Sequence, residues 1–330
     1  MKIAMDYLYD QCRERIEFAK QMGVTHAVIN AARKADKLDS PVRTWEYVPL
    51  LQKVKSFEDI GFTVSVIEGP TPLDKVKLGL PGRDEEIEVF QNFLRTLARL
   101  KIPTVCYNWM PIIGWFRTNL NVPTRGGARA TGYIHELMRD APLTEAGVVT
   151  ADTMWKNLKY FLEAVVPVAE ETGVQLAIHP DDPPVPSLRG IARLLINAEA
   201  FQRVIDLVPS KYNGITLCQG SFTTMGENVP ELIQRFGKQK KIFFAHFRDI
   251  RGNAENFVEA FHDDGQTDMY KCMKQYLEIG YEGCMRPDHV PAMWGEENVN
   301  PGYSILGNLF AVGYMKGLME AAVWEAHKPY

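Results

Sequence analysis

The run IFFAHF at residues 242–247 carries one polar residue among six. A strand built from it must be covered on both faces, as in a parallel sheet flanked by helices. Seven further short runs recur along the chain, at Lys2–Met5, Thr25–Asn30, Phe62–Ile67, Thr104–Asn108, Gln175–His179, Gly214–Cys218 and Gly283–Asp288. Amphipathic segments separate them. Trp155–Thr172, for instance, puts Leu158, Leu162, Val165 and Val166 on one face and is closed by Gly173. Gly23, Gly61 and Gly280 stand in the same stop position just ahead of a strand. Eight βα units predict α/β architecture, a single (β/α)8 TIM barrel over residues 1–330, with the first strand short. The competing open, doubly wound sheet would need a Gly-rich phosphate turn after its first strand, and KIAMDYLYD has none. GGARATG at 126–132 lacks both the strand context and the Lys-Ser/Thr ending of a phosphate loop.

Composition narrows the function classes. With 330 residues, 46% of them hydrophobic, the chain has ample material for a core. Its 37 Lys+Arg against 41 Asp+Glu give −4, so neither nucleic acid nor an anionic membrane is expected as a partner. Asp6, Asp10 and Arg13 interrupt any N-terminal signal, and no apolar run reaches about 18 residues. A soluble, cytoplasmic protein is expected. The cysteines (12, 106, 218, 272 and 284) are odd in number and form no CxxC, which excludes a disulfide framework and a zinc ribbon. Barrels often pair, so a homodimer is the prior expectation.

One connection breaks the rhythm. About forty residues, 109–150, separate the fourth strand from the next helix, far above the usual two to six. From Met110 to His135 this segment carries Arg117, Arg125 and Arg129 and no acid, with Trp115, Phe116 and Tyr133 interleaved. The arginines either face water or arch over an anionic small substrate. The second reading, an active-site lid with Arg forks for a carboxylate, is favoured.

The C-terminal ends of barrel strands carry the chemistry of such folds. The last four runs, QLAIH, GITLC, FFAH and CMRPD, end in His179, Cys218, His246 and Asp288. Singly, each reads as a core or structural residue. Together, at equivalent positions of consecutive strands about 4.8 Å apart, they converge on one point and predict a shared divalent metal. The mixed imidazole, thiolate and carboxylate set suits Zn2+, Fe2+, Co2+ or Mn2+, with ligand softness leaning away from Mn2+. Asp181, Asp182, Asp249 and His289 lie beside it as orienting candidates. Arg248, two positions past His246, shares its strand face and is expected to clamp a carboxylate. Asn108 and Trp109 are expected to line the pocket, and His262, Asp263 and Asp264 to form a lid or turn.

The blocks VCYNWMP, AIHPDDPP, GITLCQGSF, AHFRDI, TDMYKCMK, MRPDH and PGY, in this order, resemble the mannonate dehydratase family from about Lys77 to Ala322. The resemblance implies a (β/α)8 barrel that uses Mn2+, or Fe2+, to convert D-mannonate, a sugar acid, to 2-keto-3-deoxy-D-gluconate in hexuronate catabolism. It implies His179, Cys218, His246 and Asp288 as ligands, and His289 and Tyr303 as the base and acid, in an order left open. Three departures fall in substrate-facing segments: Gly114 replaces an aspartate, Val290 and Pro291 replace a glycine and an arginine, and SILGNL after Tyr303 replaces an Asp-Arg pair. They leave a related aldonate open as substrate. They also keep in play a silent sugar-acid-binding homologue and an isomerase or epimerase of the xylose-isomerase kind, although a cysteine ligand suits the latter poorly.

Overall fold

In the computed structural model, which describes residues 1–6, 8, 13–32 and 36–326, eight parallel strands close on themselves in chain order. They are β1 (Lys2–Met5), β2 (His26–Ile29), β3 (Thr63–Glu68), β4 (Thr104–Tyr107), β5 (Gln175–Ile178), β6 (Asn213–Cys218), β7 (Ile242–Phe247) and β8 (Cys284–Pro287). Pairing of Lys2 with Cys284 shuts the cylinder. The TIM barrel read from the sequence is the fold; Asp10 and Cys12 lie outside the described residues. No helix among the described residues is long and apolar enough to cross a membrane.

Two apolar layers explain why the strands show no alternation. Ala4, Val28, Val66, Cys106, Ala177, Phe243, Phe244 and Cys284, drawn from seven strands with two from β7, form a small cluster inside the barrel. The eighth strand supplies Thr216, whose hydroxyl donates to the carbonyl of Ala177 at 3.2 Å. The other strand face packs on the helices in a larger cluster that includes Val105, Leu176, Leu217 and Ala245. Both parities are therefore apolar. The helix Ala151–Thr172, capped by the Thr150 hydroxyl and closed by Gly173 at φ 74°, turns Leu158, Phe161, Leu162 and Val165 onto the barrel side.

The long connection after β4 is not structureless. Asn119–Pro123 and Arg129–Ile134 pair as a hairpin, and a second hairpin from the β7 connection, Ile250–Asn253 with Asn256–Glu259, completes a four-stranded antiparallel sheet. Phe257 stands opposite Tyr133 across the seam. These strands escape sequence reading because NLNVP is polar and exposed, and its sheet draws on chain more than a hundred residues away.

Candidate metal and active site

Stepping two residues up each strand from the inner apolar cluster reaches Asp6, Asn30, Glu68, Asn108, His179, Cys218, His246 and Arg286. One polar side chain per strand thus forms a layer directly above the plug. Phe244 stands edge-on beneath His246, 4.7 Å between ring centroids.

Within this layer the His179, Cys218 and His246 ligand atoms lie within 4.8 Å of one another. His179 Nε2 faces His246 Nδ1 at 3.1 Å. Asp288, one position beyond β8, brings Oδ2 to 3.5 Å from His246 Nδ1 and 3.7 Å from Cys218 Sγ. The four expected metal-ligating side chains do meet. Burial raises the Cys218 thiol, but the Arg248 guanidinium, 3.3 Å away at Nε, and the two imidazoles outweigh it and leave the pKa well below the usual range. Asp288 behaves likewise: burial raises it, while His289, Arg286 and His246 hold it well below the ordinary carboxylate range.

Glu68 is a carboxylate that strand-end reading of the last four strands passed over. Its Oε2 lies 3.5 Å from His246 Nε2, and its pKa is about 2, since Arg286 and His246 together outweigh the upward push of burial. Arg286 bridges Asp6 at 3.0 Å, Glu68 at 3.0 Å and Asp288 at 2.9 Å. Asp6, by contrast, is raised, burial outweighing Arg286 and Arg15.

The second tier is a buried ion lattice. Arg248 spans Glu259 at 2.8 and 2.9 Å, Asp182 at 2.8 Å and Asp288 at 2.8 Å. Arg117 reaches the same Asp182 and Glu259. His289 Nδ1 lies 2.9 Å from Glu259 Oε1, and its ring sits between Trp115 and Tyr303, each 5.3 Å away by centroid. The Tyr303 hydroxyl reaches Asp288 Oδ1 at 3.4 Å. Glu259, on the cap sheet, had no signal in the sequence beyond an acidic neighbourhood.

Several expected substrate contacts are placed differently. Arg248 and Arg117 are filled by protein carboxylates, because a buried guanidinium requires compensation inside the fold. Arg125 forms a two-pronged pair with Asp263, both bonds 2.9 Å. Arg129 donates to the Glu296 carbonyl at 2.6 Å. Trp109 turns away from the barrel mouth: it is fully buried against Phe161, with Nε1 donating to the Met154 carbonyl at 3.2 Å. Asn108 does line the mouth. Asp249 serves its own turn, accepting from Thr267 N and Oγ1 at 2.6 and 2.8 Å, and Asp181 accepts from Leu195 N at 2.7 Å. His262 is buried, its Nε2–H donating to the Phe247 carbonyl.

A cavity of about 990 Å³ opens beside the cluster, lined by Asn30, Glu68, Lys77, Asn108, Arg286 and Tyr303 among others. The donor set suits a divalent cation on two grounds. Sulfur and two imidazoles converge, with the Asp288 carboxylate 3.5 Å from His246 and 3.7 Å from Cys218, and the Arg248 guanidinium backs the sulfur and the carboxylate at 3.3 and 2.8 Å. And the lowered groups, four carboxylates (Glu68, Asp182, Glu259, Asp288) with the Cys218 thiol, face three guanidiniums and the His246 imidazole, which, against burial and Arg286, Glu68 and Asp288 raise well above its ordinary value, leaving one negative charge uncompensated.

Comparison with known proteins gives a consistent picture. The family model described as D-mannonate dehydratase (UxuA) matches residues 1–148 and 142–328. A mannonate dehydratase of Thermotoga maritima is 37% identical over 319 residues, covering 86% of this chain and 88% of that one. Mannonate dehydratase 2 of Halalkalibacterium halodurans is 33% identical over 352 residues, covering 97% and 99%. Among solved structures, the mannonate dehydratase of Streptococcus suis serotype 2 superposes with a TM-score of 0.89 at 31% identity, covering 100% of this chain and 95% of that one. A D-tagatose 3-epimerase-like protein, at TM-score 0.65 and 16% identity, covering 99% and 100%, shares the fold.

Proposed function

The chain belongs to the D-mannonate dehydratase family and is a hydro-lyase acting on D-mannonate, and on that premise we propose how its own residues carry the reaction. Dehydration removes the proton on C2, next to the carboxylate, and expels the C3 hydroxyl, which leaves as water once protonated. The resulting enol rearranges to 2-keto-3-deoxy-D-gluconate. The C2 proton is weakly acidic until the second negative charge developing on the carboxylate is stabilised.

His179, Cys218, His246 and Asp288 would hold the cation, Mn2+ or Fe2+ by family resemblance, with Zn2+ or Co2+ compatible with the same donors. When bound, it supplies Lewis acidity toward the carboxylate and neighbouring hydroxyl. His289 and Tyr303 divide the two proton transfers. Glu259 accepts the His289 Nδ1–H, which leaves Nε2 with its lone pair and suits His289 to the C2 proton. Tyr303, whose ring packs edge-to-face on that imidazole and whose hydroxyl reaches Asp288 Oδ1 at 3.4 Å, is suited to donate to the departing hydroxyl. Arg248 holds Cys218 and Asp288 in their ionised forms from behind. The 109–150 insertion roofs the site, and its arginines hold the roof in place.

The reducing interior of the cell suits a chain whose proposed ligand is a free thiol, so a cytoplasmic setting is part of the proposal. So is a homodimer, supported by Val323 and Trp324, 42% and 70% exposed on the last helix.

The observation that carries the reading is the meeting of four metal-competent side chains from four consecutive strands. The test is to incubate Mn2+-loaded protein with D-mannonate and a panel of other aldonates. Release of a keto-deoxy acid from D-mannonate is the expected result. Conversion without loss of water, or saturable binding with no turnover, would overturn it.

A further inference from the structure

Resting on the dehydratase reading, we propose that Lys77 receives the carboxylate of the sugar acid and so sets the preference for an acid over a neutral polyol.

The cations singled out by their place in the sequence are committed elsewhere. Arg117 and Arg248 are held by Asp182 and Glu259, Arg286 by Asp6, Glu68 and Asp288, and Arg125 by Asp263. Lys77 differs. It lines the cavity, its side chain is 9% exposed, and the carboxylate of its ion pair is Asp74, 3.9 Å away and 60% exposed. Its ammonium donates to Asn108 Oδ1 at 3.3 Å. Asn108 directly follows β4, whose Tyr107 pairs with Ile178, the residue before His179. The charge therefore stands one strand from the ligand cluster.

The position is also built. Lys77 rides on the short helix Asp74–Leu78, whose backbone is pinned by two buried polar side chains. Glu86 accepts from Val76 N at 2.8 Å, and Asn157 donates to the Lys77 carbonyl at 2.9 Å. Gly79 ends the helix at φ 71°, where a Cβ would come within 3.0 Å of the Asn157 amide. Burial holds the Lys77 ammonium below the usual lysine range, a cost that an arriving carboxylate offsets.

The test uses full-length, Mn2+-loaded protein carrying Lys77→Met or Lys77→Gln, the latter keeping a polar contact to Asn108, with Lys75→Met as a control for diffuse charge in the same cavity. Both Lys77 variants should raise KM for D-mannonate about 10- to 100-fold with a smaller change in kcat, as expected for loss of a charge-assisted hydrogen bond. They should also shrink the thermal upshift that D-mannonate gives the wild type, while Lys75→Met changes KM less than about 2-fold. Lys77→Arg should recover part of the loss. A KM within about 2-fold of wild type in a folded Lys77 variant, or an equal rise in Lys75→Met, overturns the assignment. A wild type that neither turns over D-mannonate nor is stabilised by it overturns the dehydratase reading instead.

Discussion

Replacing Glu259 by glutamine keeps the shape of a fully buried side chain and removes its charge. In the native lattice this carboxylate accepts from Arg248 Nη1 at 2.8 and 2.9 Å, from Arg117 Nη2 and from His289 Nδ1 at 2.9 Å. After Glu259→Gln the two guanidiniums share Asp182, and Arg248 retains Asp288 at 2.8 Å. Removing one partner of a buried ion pair costs about 3–5 kcal/mol. Because two carboxylates stay behind, the lower end, about 3 kcal/mol, is expected. The assay is urea unfolding of metal-free protein, read as a fall in the midpoint at constant slope. A glutamine NH2 also opposes arginine donors, so His289 loses a firm acceptor and kcat should drop about 10- to 100-fold, the size seen when groups supporting a site are lost. A stability loss under about 1 kcal/mol together with unchanged kcat would show that the arginines re-pair without Glu259 and that His289 is held by something else, refuting the lattice argument.

Cys218→Ser should leave the purified protein with less than one cation per chain by elemental analysis and abolish turnover; stoichiometric metal would remove this residue from the ligand set. Arg125→Ala should change KM less than about 2-fold and stability by less than about 1 kcal/mol, because its fork grips Asp263 at the surface; a large KM rise would return it to the substrate. His262, held down to about 4 by burial, is neutral in the fold, so its contribution is present above the unfolded value near 6.5 and is lost as pH falls toward 4, about 3 kcal/mol in all. His262→Gln should flatten metal-free stability across that window, and an unchanged pH slope would contradict the buried-neutral assignment.

The barrel was legible because hydrophobic runs and glycine stops fix element type without needing register. The site was legible only in half. Reading the last polar residue of an apolar run found His179, Cys218, His246 and Asp288, which the fold does bring together. Reading by parity would also have found Asp6, Glu68 and Arg286, two positions above Ala4, Val66 and Cys284. That parity is hidden where both strand faces are apolar, since Val105 and Cys106 look equally buried until one is seen to face the helices and the other the barrel axis. Trp109 is the cost of the same blindness: it follows Asn108 and points the opposite way. The arginines mislead for a different reason. Charge sign says what a side chain attracts and nothing about whether the partner is substrate or protein, and Glu259, the partner of Arg117, lies 142 residues further along the chain.

That long-range pairing bears on how substrate reaches the site. The cap sheet joins the connection after β4 to the connection after β7, and both contribute to the ion lattice: Arg117 from the first, Glu259 from the second. Arg117 is tied to Asp182 at the mouth of β5 and Glu259 to Arg248 at the mouth of β7, and Arg248 and Asp182 pair with each other. Lifting this roof would separate several buried charges at once, at a cost of several kcal/mol per uncompensated ion. The cavity, however, is lined chiefly by the ends of β1 to β4 and the connections that leave them, with Arg286 and Tyr303 at its inner edge. The cavity therefore opens on the β1–β4 side, where Lys77 and Asn108 stand, and the function proposed above makes the arginine-rich insertion a fixed wall of the site.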